Sequence, residues 1–214
     1  MTTRYGRHCM IALSAATLLV ACKPKDNATG DTTSAAGAVA TGSDSANRAR
    51  TDSANNSANA NNSWTDGQIL AFTSTANKAE IAEGKLAETK ATNAKVKAYA
   101  RQLVTDHTAM QSEGNSFAKK NNITPDSTKS DVQDLEKDAQ NGMQELNSTA
   151  KGNDWDKTFV DHEIDGHKKV LEKLQSAQNA TQNAQLKDML TKAAQKVQQH
   201  LDKAQALKDS TLKS

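Results

Sequence analysis

The chain has 214 residues, of which 27 are Lys or Arg, 25 are Asp or Glu, and 3% are aromatic. A formal net charge of +2 offers no basic stripe of the kind that neutralises a phosphate backbone, so the composition argues against nucleic acid as a partner.

The first element is Arg4 and Arg7 followed by the apolar run Met10 to Ala21. Those twelve residues fall short of the roughly 20 needed to cross a ~30 Å hydrocarbon core, and residues 1–21 read as a signal peptide. The run closes on Leu19-Val20-Ala21-Cys22, which resembles the lipobox of bacterial lipoproteins, where the peptidase cuts before a cysteine whose thiol carries a diacylglycerol. The resemblance implies that Cys22 is lipidated with palmitate-like acyl chains. It also implies that the membrane is a partner through this lipid and that Lys23, in place of an aspartate, sends the protein to the outer membrane, with its domain facing the periplasm. Without Arg4, Arg7 and Cys9, the charges balance at 25 against 25 and no disulfide can form.

Residues 22–63 follow as the lipidated cysteine and a tether. Lys23 to Ser63 is Ala, Ser, Asn, Thr, Asp and Gly, with Val39 its one sizeable apolar side chain. Such a segment buries too little surface to offset its ordering entropy and is expected to be disordered. As a flexible coil it spans on the order of 35 Å. Residues 64–214, 151 in number, form the remaining domain, a size that buries about 68–70% of the unfolded surface.

Within it, apolar residues recur at spacings of four and three, which predicts an all-α fold. Helix one is expected from a Thr65 cap to Thr89, with Ile69, Phe72, Ala76, Ala79 and Leu86 on one face, Glu80 at its edge and Glu83 interrupting it. Helix two, 93–121, carries Val96, Ala100, Leu103, His107, Met110, Gly114 and Phe117. After Pro125, a shorter and more polar helix over 130–150 reads as a crossover. Asp154 is the expected cap of a helix to Gln178 with Val160, Ile164, His167, Leu171 and Leu174. The last helix, 181–208, carries Leu186, Leu190, Ala193, Val197, His200, Ala204 and Leu207. Four long helices with a shorter crossover describe a ferritin-like up-down bundle. Gly84, Gly114 and Gly166 within helices suggest close helix contacts, and Trp64 and Trp155 are expected to cover the ends of the core.

The ordered motifs Ala79-Glu80-Ile81, Gly84-Lys85-Leu86-Ala87, Val96-Lys97-Ala98-Tyr99-Ala100, Asp106-His107, Phe159-Val160-Asp161, His167 and His200 resemble an uncharacterised bacterial envelope family. Its members are described as predicted outer-membrane proteins with a ferritin-like domain of unknown function. The resemblance implies fold and compartment but no activity. Di-iron proteins of that fold place a Glu three residues before each ligating His, whereas Val104, Ile164 and Val197 occupy those positions here.

Three seam histidines, His107, His167 and His200, with Glu80 or Glu83 from the fourth long helix, are candidate ligands for zinc, copper or iron, and Met110 lies one turn from His107. Height argues against a shared ion. With a turn near residue 180, His167 is 13 residues before it and His200 20 after it, an axial offset of about 10 Å. Asp161 and His162 stand nearer His200 in height but off the stripe. The pairs Asp106-His107 and Asp161-His162 diverge by about 100° on a helix, and no nucleophile elbow, phosphate loop or His-Glu-x-x-His is present. No catalytic residue is assigned. The leading functional reading is a non-enzymatic envelope structural, stress-related or interaction module without cofactor, bound to the membrane by its lipid and to an envelope protein partner. The alternative is a metal-binding bundle.

Overall fold

The computed structural model describes residues 63–211. The signal sequence, Cys22 and the tether as far as residue 62 lie outside the described residues. Five α-helices and no strand occur among them: α1 Asp66–Lys90, α2 Ala94–Lys120, α3 Ser130–Ser148, α4 Asn153–Ala180 and α5 Ala184–Thr211. No helix among the described residues is long and apolar enough to cross a membrane.

Local chemistry sets the helix starts. Thr65 Oγ1 accepts from the Gln68 amide at 3.2 Å, and the Thr65 amide donates to Gln68 Oε1 at 3.1 Å, a reciprocal box that satisfies two amides otherwise left without helical partners. Asn93 Oδ1 accepts from the Lys95 amide at 2.8 Å to open α2. One expected cap, Asp154, and one expected helix start, Thr181, are corrected. Helix α4 starts after Gly152, whose φ of 150° suits a residue without a Cβ, and Asp154 falls inside its first turn. Helix α5 is capped by Asn183, whose Oδ1 accepts from the amides of Gln185 and Leu186 at 3.1 Å each. Thr181 instead ends α4, donating through Oγ1 to Asp66 Oδ1 at 2.7 Å.

The closest helix pairs are α1 with α2 and α4 with α5; α2 also packs on α5, and α3 packs chiefly on α1. Helix α3 buries Val132 and Leu146, as befits its polar sequence. A Cβ at Gly84 would stand 2.8 Å from Val104 Cγ2 and 3.1 Å from the Ala100 carbonyl, so α1 and α2 approach closely there. The same expectation fails for Gly114 and Gly166, where a Cβ meets nothing within 4 Å.

The core is two apolar blocks. One gathers Trp64, Ile69, Phe72, Val132, Leu174, Leu186 and Leu190; the other gathers Val96, Leu103, Leu146, Trp155, Phe159, Leu201 and Ala204. Trp64 meets Phe72 edge-on with centroids 5.3 Å apart. Trp155 stacks on Phe159 at 5.5 Å and donates to the Leu146 carbonyl at 2.8 Å. Every long helix runs from one block to the other, and the buried polar residues Asn77, His107, Glu163, His167 and His200 fall at the transition.

Asp156, 1% exposed, ties the α1–α2 link to α4. Its carboxylate accepts from the Thr92 amide at 2.9 Å, the Thr92 hydroxyl at 2.7 Å and the Asn93 amide at 2.8 Å. Asp156→Ala strands two amides and is expected to cost about 3 kcal/mol, read as a lower urea midpoint at unchanged slope.

Candidate metal centre

The polar layer brings His107 of α2, His167 of α4 and His200 of α5 to one level. Ring centroids are 5.9 Å apart for His107–His167, 5.1 Å for His107–His200 and 5.5 Å for His167–His200, and one ligand nitrogen from each ring lies within 4.8 Å of the other two. The expected height mismatch is thereby corrected. Helix α4 ends at Ala180 and α5 begins at Ala184, so the loop adds no axial height. His167 and His200 stand 13 and 16 residues from those ends, an offset of about 4–5 Å that two imidazoles span.

Each ring has one nitrogen fixed by an acceptor. His107 Nδ1 donates to Asn77 Oδ1 at 2.9 Å, His167 Nδ1 to the Glu163 carbonyl at 2.8 Å, and His200 Nε2 to Asp106 Oδ2 at 2.8 Å. Those bonds assign the ring protons to the outer nitrogens and leave lone pairs on His107 Nε2, His167 Nε2 and His200 Nδ1. None of the three has a hydrogen-bond partner, and the residues are 3%, 1% and 0% exposed. Of six buried side-chain polar atoms without a partner among the described residues, five belong here: these nitrogens, Glu80 Oε2 and Glu163 Oε1. Lone pairs cannot hydrogen-bond one another, and each unmet buried acceptor costs about 1–3 kcal/mol. A cation bound by all three removes that cost.

Burial drives His107 down to about 4. It also lowers His200, against the pull of the Asp106 carboxylate. These two rings are therefore neutral at physiological pH, the form that ligates metals. Burial opposes the Asp106 carboxylate too, but hydrogen bonds from His200 and Gln102 and the Lys196 charge hold its pKa below the ordinary value.

Glu80 is placed next to this triad but not in it. It groups with Glu163 and His167, on the side of His167 Nδ1, which is 3.8 Å from Glu80 Oε1 and 3.5 Å from Glu163 Oε2. Burial raises the Glu163 carboxyl well above its ordinary value, with the Glu80 charge adding to the effect. Burial pushes Glu80 up as well, but its neighbours, His167 first and the hydrogen bond with Glu163 among them, outweigh it and leave it lowered. The pair therefore shares a proton carried by Glu163. Tyr99 directs its hydroxyl at the His200 carbonyl, 3.3 Å, and at Glu163 Oε2, 3.5 Å, and burial, then Glu163 and Glu80, keep it protonated.

Other candidates disperse. His162 bonds Glu145 at 3.1 Å, and Asp161 pairs with Lys208 at 2.7 Å. Met110 lines a cavity of about 340 Å³ together with His107. Asp106 and His107 diverge as helical neighbours must, yet Asp106 reaches across to orient His200.

The chain matches, over residues 50–207, the family described as Domain of unknown function (DUF4142). The chain belongs to the DUF4142 family. No curated protein and no solved structure matches it. Four residues of this DUF4142 domain that matter to the centre lie outside the sequence-predicted set: Asn77, Tyr99 and Asp106 as supports, and Glu163. Glu163 alone had a local signal, because Phe159, Glu163, His167, Val170 and Leu174 follow the same four-three spacing as the neighbouring stripe.

Proposed function

We propose that this protein is a non-enzymatic, lipid-anchored envelope protein whose ferritin-like bundle holds one transition-metal ion on His107, His167 and His200. The observation that carries this reading is the convergence of three buried imidazole nitrogens without partners, each on a ring whose other nitrogen is fixed by an acceptor. That is how metal-ligating histidines are oriented. Three imidazole nitrogens suit zinc or copper, with iron(II) as the less matched ion. A di-iron carboxylate centre does not fit, because Ile164 and Val197, at two of the positions such a centre reserves for Glu, are core residues 6% and 3% exposed.

Four long helices joined in two hairpins through the shorter α3 support the ferritin-like assignment. The lipobox resemblance at Cys22 supports a membrane anchor, with outer-membrane sorting and a periplasm-facing domain as its consequence. The protein would then retain or buffer metal at the envelope. A purely structural or interaction module needs histidines satisfied within the protein, and the three unpartnered ring nitrogens weigh against it.

Elemental analysis of the full chain after zinc or copper loading and desalting tests the reading. One equivalent per chain is expected. His107→Ala, His167→Ala and His200→Ala should each lose it while keeping the helical circular dichroism. A parent that retains no metal, or variants that retain as much as the parent, would refute the assignment.

A further inference from the structure

Two cavities of about 340 Å³ each adjoin this layer, and their walls differ in charge. The one beside His107 is walled by apolar side chains such as Phe72, Leu174 and Leu190, and its four charged residues balance, Asp106 and Glu113 against Lys192 and Lys196. A cation entering there would shed its water against hydrocarbon and meet no net negative charge, since Lys196 is paired with Asp106 and Lys192 with Asp188. The second lies between α1, α3 and α4. Glu80, Glu83, Asp138, Glu145 and Asp165 line it, with Lys169 the single lysine and His162 the single imidazole. Lys169 is already paired with Asp138 at 3.0 Å.

Resting on the metal-centre reading, we propose that this acidic cavity is the route by which a divalent cation reaches the histidines, with Glu80 as its inner station. Glu80 belongs to both places: it lines the cavity, and its carboxylate stands 3.8 Å from His167. Behind it lies Glu163, 2% exposed, which holds the proton that the two carboxyls share, so Glu80 is the one that carries the negative charge. An arriving cation therefore exchanges water for carboxylate oxygen before it meets nitrogen. Carboxylates around a low-dielectric cavity also raise the local cation concentration and the association rate.

The cavity has a natural place for a plug. A Cβ at Gly142 of α3 would lie 3.2 Å from His162 Nδ1 and 3.4 Å from Glu83 Oε1, so a side chain there projects between these two wall residues. None of Gly142, Asp138 and Glu145 belongs to the triad.

Stopped-flow binding of Co²⁺ to the metal-free full chain, followed by its visible absorption, separates the possibilities. Gly142→Leu should slow association and dissociation together, by about tenfold, and leave the equilibrium constant unchanged, because a plug obstructs passage in both directions. The double variant Asp138→Asn/Glu145→Gln removes two wall charges and leaves Lys169 unpaired. It should slow association several-fold and flatten its dependence on salt, within the range that steering supplies. Both variants binding at the parental rate would overturn the route alone. A parent that binds no Co²⁺ would remove the centre and the route with it.

Discussion

Zinc added to the metal-free protein should raise its unfolding free energy by about 2.7 kcal/mol when free zinc is 100 times the dissociation constant, and by about 4.1 kcal/mol at 1,000 times. For a domain of this size that is a rise in unfolding temperature of roughly 6–15 °C. The cause is specific. Folding buries three imidazole lone pairs with nothing to accept, and the metal supplies the missing partner in the folded state alone. His200→Leu should abolish the zinc response. In the metal-free state the same substitution should leave stability within about 1 kcal/mol of the parent, because it also removes an unmet buried nitrogen. Asp106 loses His200 but keeps Gln102 at 3.3 Å and Lys196 at 3.6 Å. An equal zinc response in parent and variant would contradict this account.

Metal-free stability should also fall as pH rises from about 6.5 to 8, and Glu83 should carry much of that fall. Burial and then the Glu80 charge raise Glu83 to about 8 from an ordinary 4.5. Between those values the folded state holds a proton that the unfolded chain has released, so stability declines with rising pH. His107 acts in the opposite sense. Held at about 4 against an ordinary 6.5, it stays neutral when folded while the unfolded chain takes up a proton, so stability declines as pH falls through that window. From about 4.5 to 6.5 the two slopes cancel, one proton against one. Above 6.5 the carboxyl alone remains, and Glu163, also raised, adds to it. The whole Glu83 shift corresponds to about 5 kcal/mol, and the water-accessible cavity beside it reduces the expected loss to about 2–3 kcal/mol. In Glu83→Gln the alkaline decline should shrink, and the His107 slope, no longer cancelled, should emerge as a loss of stability as pH falls from about 6.5 to 4.5. Urea midpoints across pH 4 to 9 check both limbs, and an unchanged alkaline slope in the variant would show that Glu83 is ionised in the fold.

The helices were legible because their apolar residues keep four-three spacing and because Thr65 and Asn93 are strong cap formers directly ahead of that pattern. The start of α5 was misread for a local reason. Thr181 and Asn183 are both good cap residues two positions apart, and the contact that selects between them, Thr181 to Asp66, comes from the far end of the chain. The three histidines were visible as polar interruptions of apolar seams. Their common level was not, since it depends on how the 181–183 turn seats two helices, and a residue count through the loop overstates height. Asn77 and Asp106 are separated from their histidines by 30 and 94 positions, a pairing that only the packed bundle expresses. Glu163 drew no expectation from the sequence, and its place is set by Tyr99 of α2 at 3.5 Å and by burial to 2% exposure.

Zinc K-edge X-ray absorption of the zinc-loaded full chain tests the central claim most directly, because imidazole rings leave an outer-shell scattering pattern that carboxylates and water do not. Three imidazoles are expected in the parent and two at most in His107→Ala. A spectrum without imidazole scattering, or one that is unchanged in His107→Ala, would contradict it.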